Sequence, residues 1–116
     1  MNRLPNASSA IIDDVKITAY LLSDTHPVGR LKAAFFHKFG FRRSQWRLLR
    51  NALFIHAQSA ELISMTETEF GCKFVMEGPL IALDGRAPYI RTIWFLSPGE
   101  TAPRLVTAYP THGEKP

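Results

Sequence analysis

His26 and Lys32 stand six positions apart in the stretch SDTHPVGRLKAAFFHKFGF, Ser23–Phe41. Its first part reads as a turn and its second as a helix. Pro27 fixes its own φ and pushes His26 out of the α region. The imidazole is thereby expected on a braced loop just ahead of a helix N-terminus, where backbone N–H groups favour anions. A helix begun near Val28 carries Lys32 about one turn in, able to face a phosphate bound there. An imidazole titrates near neutrality and an ammonium holds negative charge, so the pair suits proton transfer beside a phosphate. The plainer alternative is that His26 caps or braces the turn and Lys32 is solvated.

The C-terminal half offers more groups of this kind. Arg91 interrupts APYIRTIWFL, an otherwise apolar run. A charge in mid-strand must reach a site or a partner, since burying it alone is expensive; Glu67 and Glu77 are the candidate partners. Thr107 and Tyr109 lie two apart in RLVTAY and project from one strand face. Arg43, Arg47 and Arg50 share the polar side of a helix, as an extension of an RNA-binding track or as a solvated face. Other chemistries find little support. The histidines (His26, His37, His56, His112) show no HExxH spacing and no accompanying carboxylate cluster, so no metal and no cofactor are expected. There is no Gly-rich phosphate loop and no GxSxG. Cys72 falls inside a probable strand, as a small hydrophobe rather than a nucleophile.

The elements that must position these groups divide the chain in two. Asp13 or Asp14 starts a short helix over Val15–Leu22, and a second helix runs from Val28 to Phe39 with Leu31, Phe35 and Phe39 on one face. Gly40 stands where a C-terminal cap belongs. Ser44 caps a third helix to Ala57, with Trp46, Leu49, Leu53 and Ala57 as its apolar stripe. After Ala60 the texture changes. Glu61–Phe70, Cys72–Ile81, Ala87–Leu96 and Arg104–Tyr109 read as strands, separated by turn signals at Gly71, Asp84-Gly85 and Ser97–Pro103. Helices first and strands afterwards predict an α+β domain, N-terminal helices packed on a C-terminal antiparallel sheet of about four strands. Residues 13–110 form the single domain, with flexible ends at 1–12 and 111–116. Leu31, Phe35, Trp46, Leu49, Leu53, Ile93 and either Trp94 or Phe95 are its predicted core.

The chain has 116 residues, 46% of them hydrophobic and 21% charged, enough for one core without disulfides or metal. A single cysteine fits a reducing, cytoplasmic setting. No apolar run suggests a signal peptide or a membrane span. The net charge of +4 suits a polyanionic partner, RNA above all.

Three motifs, YLLSDTHPVGRLKAAFFHKFGF, EGPLIALDGR and IRTIWFLSPGETAPRLVTAYP, together resemble a bacterial domain family of unknown function, found alone and at the C-termini of polymorphic toxins. The likeness covers Val15–Pro110. It implies a helix-then-sheet layout similar to the barnase, EndoU, colicin D and RelE ribonuclease superfold. It also implies functional polar positions at His26, Lys32, Arg91, Thr107 and Tyr109, and a cognate acidic antitoxin or immunity protein. A metal-independent endoribonuclease needs a proton-transfer group, cations for the phosphate and groups that orient the nucleophile. His26 fills the first role as base or acid, Lys32 and Arg91 the second, and Thr107 and Tyr109 either hydrogen-bond the phosphate or fill the third. The alternative is a non-catalytic RNA- or protein-binding module of a toxin cassette.

Overall fold

A computed structural model describes residues 3–111. Its elements are α1 (Asp14–Lys16, continued by a π-helical turn, Ile17–Leu21), α2 (Gly29–Lys38), α3 (Trp46–Ser59), β1 (Glu61–Thr68), β2 (Gly71–Pro79), β3 (Tyr89–Leu96) and β4 (Arg104–Pro110). Single 3-10 turns lie at Ala7–Ser9 and Arg43–Gln45. The strands form one antiparallel sheet in the order β1-β2-β3-β4, each paired with its sequence neighbour. The helices therefore occupy the middle of the chain, preceded by an N-terminal segment, and the sheet follows them.

That first segment is tied to the domain at several points. Leu4 is buried in the core, and Ile11 bridges Arg104 of β4, its N–H donating to the Pro103 carbonyl at 2.8 Å. The end from Thr111 was expected to be flexible too; of it, residues 112–116, with His112, lie outside the described residues.

Alternation along the strands divides the sheet into two faces. Phe74, Met76, Ile90, Thr92, Trp94, Leu105 and Ala108 are buried on the inner one, where α3 supplies Leu49, Ala52, Leu53, His56 and Ala57. The α3 stripe read from the sequence holds at Leu49, Leu53 and Ala57. Trp46 is half-buried beneath two guanidiniums, those of Arg47 and Arg50, 4.5 and 5.2 Å from its ring centre. Trp94 is in the core, whereas Ile93 and Phe95 are half-buried on the outer face.

Leu31 is not a core residue. It is 71% exposed, because α2 turns Gly29, Ala33 and Phe36 inward instead. The close approach of α2 to the preceding π turn explains the choice. A Cβ on Gly29 would overlap the Tyr20 carbonyl oxygen and come within 2.9 Å of its carbonyl carbon. Small residues let the helix dock, and the large Leu31 lies on the opposite side. Phe35 and Phe39 remain half-buried, their rings 5.1 Å apart. The predicted stop at Gly40 is present: φ is 93°, Phe41 N–H donates to Phe36 O at 3.1 Å and Gly40 N–H to His37 O at 3.0 Å. This pair of bonds is a Schellman motif, with the Phe41 and Phe36 rings providing its apolar contact.

The inner face has one polar network. Trp94 Nε1–H donates to Thr92 Oγ1 at 2.9 Å, that hydroxyl lies 3.5 Å from His56 Nδ1, and His56 Nε2–H donates to the Gly78 carbonyl at 3.2 Å. Burial pushes the His56 imidazole down to about 4, opposed by its bonds to the Gly78 and Ile90 backbone. His56 is thus a neutral core histidine.

Candidate functional site

Three sequence-predicted residues, His26, Lys32 and Thr107, meet around one not singled out in the sequence, Tyr20, and Lys32 links it to a fourth, Tyr109. The π turn that carries it closes with Leu22 N–H donating to Ile17 O at 2.8 Å. One extra residue per turn buries Ile17, Leu21 and Leu22 and sends the Tyr20 side chain toward β4. Its hydroxyl lies 3.3 Å from Thr107 Oγ1. Lys32 reaches over from α2, its Nζ 5.5 Å from the Tyr20 ring centre and 5.8 Å from that of Tyr109. Lys16, one turn before Tyr20, places its Nζ 5.2 Å from the Tyr20 ring centre. The His26 ring packs edge-on to Tyr20, centroids 4.9 Å apart at 79°.

His26 is held in a specific way. The Ser23 hydroxyl accepts from the N–H of Thr25 (3.3 Å) and of His26 (3.1 Å), tightening the turn. His26 Nδ1 then accepts from Val28 N–H at 3.0 Å and Gly29 N–H at 2.9 Å. The imidazole thereby caps α2, so that part of the plainer alternative is present in the fold. With the Nδ1 lone pair occupied, a neutral ring carries its proton on Nε2. That N–H is the group His26 offers outward. Clefts of about 460 Å³ and 470 Å³ both have His26 in their lining, the first with Arg43, Thr18 and Thr25, the second with Lys16 and Tyr20.

Arg91 joins from the sheet. Register sets Glu77, Arg91 and Tyr109 side by side across β2, β3 and β4 on the outer face. Arg91 Nε donates to Glu77 Oε2 at 2.6 Å, and its terminal nitrogen binds the same oxygen. Glu77 first, then Tyr109 beside it, push the guanidinium pKa up. Arg91 is therefore a paired cation, with the second of its two candidate carboxylates. Glu77 is itself buried, 8% exposed. Arg43 borders the His26 cleft and donates from Nε to Thr18 O at 2.9 Å. Arg47 and Arg50 stand on Trp46 instead, and Arg50 also lies 3.8 Å from Asp14.

The electrostatics favour negative charge at Tyr20. Burial raises its phenol, but the hydrogen bond with Thr107 and the neighbouring Lys32 and Lys16 ammoniums outweigh it and hold the pKa below the ordinary 10. Among the described residues, no group of three or more His, Cys, Asp or Glu side chains is placed to hold a metal ion. No helix among them is long and apolar enough to cross a membrane.

A family model described as a domain of unknown function (DUF6883) matches residues 3–112. The chain belongs to that family. The match includes every element around Tyr20, from the π turn to β4. No curated protein sequence matches the chain. Among solved structures, this DUF6883 domain is similar to a chain of a contact-dependent growth inhibition toxin–immunity protein complex from Klebsiella pneumoniae 342. The two share 15% identity and a TM-score of 0.71, over 92% of this chain and 97% of the other. At that identity the likeness is one of fold.

Two residues of the cluster left weak traces in the sequence. Lys16 and Tyr20 stand at i and i+4, the spacing of neighbours on a helix surface, but the π turn that redirects Tyr20 has no sequence signature. Glu77 was visible as a possible partner of Arg91, and pairing of β2 with β3 decides it over Glu67.

Proposed function

We propose that this domain is an endoribonuclease of toxin type that cleaves RNA by 2′-hydroxyl attack on the adjacent phosphate, without a protein-bound metal. The observation that carries it is the meeting of His26, Lys32 and Thr107 around Tyr20, with Tyr109 beside Lys32 and Arg91 beside Tyr109. These residues come from a turn, a helix and two strands, and no local rule requires them to meet.

In this mechanism Lys32 holds the scissile phosphate, and the His26 Nε2–H donates to one of its oxygens. Thr107 and Tyr109 orient the nucleotide. Arg91, fixed by Glu77, sets Tyr109 and adds positive potential rather than a free guanidinium fork. Arg43 extends the basic surface past His26. An acidic immunity protein that covers the cleft would suit both the +4 charge and the fold shared with a chain of a toxin–immunity complex.

Purified protein incubated with total RNA in EDTA tests the activity. Cleavage that falls about 10²-fold or more in Lys32→Ala, with the fold retained, supports it. RNA bound but left intact favours the second reading, a non-catalytic binding module. The His26 cap and the Arg91–Glu77 pair are the observations on that side.

A further inference from the structure

The geometry points to Tyr20 as the general acid of the cleavage step, the group that protonates the departing 5′-oxygen. The inference rests on the ribonuclease reading and departs from the assignment of proton transfer to His26. An imidazole donates a proton catalytically when it begins as the imidazolium, and Nδ1 of His26 already accepts two backbone N–H bonds. Protonating that nitrogen forfeits both bonds and uncaps α2. His26 is therefore suited to a fixed hydrogen bond and not to giving up a proton.

Tyr20 has what an acid needs. Its phenol is protonated at neutral pH, and the surroundings stabilise the anion that forms when the proton leaves. Those surroundings are the Thr107 hydroxyl at 3.3 Å and the Lys16 and Lys32 ammoniums at 5.2 and 5.5 Å from the ring centre. The side chain is also pre-positioned. His26 packs against its ring in a T-shaped contact, and Gly29 packs against its backbone with no room for a Cβ.

The step balances without a further reagent. The 2′-oxygen loses its proton to solvent water and forms a bond to phosphorus as the bond from phosphorus to the 5′-oxygen breaks. The electron pair of that bond stays on the 5′-oxygen, which takes the Tyr20 proton. The tyrosinate recovers a proton from solvent after product release.

The test uses the full chain and a leaving group that needs no acid. Once a cleavage site is mapped with wild-type protein, an oligonucleotide is made with sulfur in place of the 5′-oxygen at that position. Tyr20→Phe should lose about 10²–10⁴-fold on the all-oxygen strand, the usual worth of general acid catalysis. It should stay within several-fold of wild type on the sulfur strand, because a thiolate departs unprotonated. Equal losses on both strands would make Tyr20 a structural residue and overturn the inference, as would full activity of the variant on oxygen. A ring-fluorinated tyrosine at position 20 supplies a second check if Tyr20→Phe folds poorly: it keeps the hydroxyl but alters its acidity, and should change the rate on the oxygen strand alone. A wild type that cleaves neither strand refutes the ribonuclease reading, and the role of Tyr20 falls with it.

Discussion

Lowering the pH from 7 to 4 should cost this domain stability through one buried residue, His56. The ring is 1% exposed, donates from Nε2 to Gly78 and presents Nδ1 to the Thr92 hydroxyl. An imidazolium there would be a charge held out of water by neutral groups alone, the Thr92 hydroxyl and the Gly78 and Ile90 backbone, which offset only part of the cost of burial. Burial holds the folded pKa at about 4, against 6.5 for the free side chain. Below pH 6.5 the unfolded chain therefore takes a proton that the folded one refuses. Stability falls as pH falls through 6.5 and levels off below 4. At about 1.4 kcal/mol per pH unit the whole effect is about 3 kcal/mol. Urea unfolding measures it: with a slope of about 1.5 kcal/mol per M, the midpoint should drop by about 2 M between pH 7 and pH 4. Other groups titrate in that window, so the decisive quantity is the difference from His56→Gln, whose amide can still donate to Gly78. The wild-type advantage should shrink steadily with acid. An advantage equal at pH 7 and pH 4.5 would refute the argument.

Three further tests probe separate parts of the molecule. Leu53→Ala should cost about 2–5 kcal/mol, whereas Leu31→Ala should change stability by no more than about 0.5 kcal/mol; equal effects in urea unfolding would contradict the observed docking of α2. Gly29→Ala forces α2 off the π turn, so it should destabilise by about 1–3 kcal/mol or more and abolish RNA cleavage together with the His26 cap; an active, fully stable variant would show that the close approach is unimportant. Arg91→Ala strands the buried Glu77 carboxylate and should cost about 1–3 kcal/mol, with part recovered by adding Glu77→Gln, as a double-mutant cycle would reveal.

The sequence made the outline of this fold readable for identifiable reasons. The strands of the second half carry apolar runs broken by glycine and proline, and each pairs with its neighbour in chain order, so few arrangements compete. The α3 stripe was legible because its large apolar residues recur at helical spacing. The docking of α2 was not. Large side chains draw attention to Leu31, yet the face that docks is set by the absence of a side chain at Gly29, a signal that depends on knowing what lies opposite. The site divides the same way. His26, Lys32, Arg91, Thr107 and Tyr109 stood out as polar groups in places where polarity needs a reason. Tyr20 did not, since a tyrosine in an apolar helix is ordinary until a π turn aims it at β4. Nor could the sequence show that His26 spends Nδ1 on the backbone, which reassigns its chemistry.

The end groups of the RNA products test the central claim most directly. Attack by the 2′-oxygen must leave a 2′,3′-cyclic phosphate on one fragment and a 5′-hydroxyl on the other. Wild-type protein in EDTA should produce these ends, and Lys32→Ala should reduce them about 10²-fold or more. Intact RNA, or fragments bearing 5′-phosphate and 3′-hydroxyl ends, would contradict it.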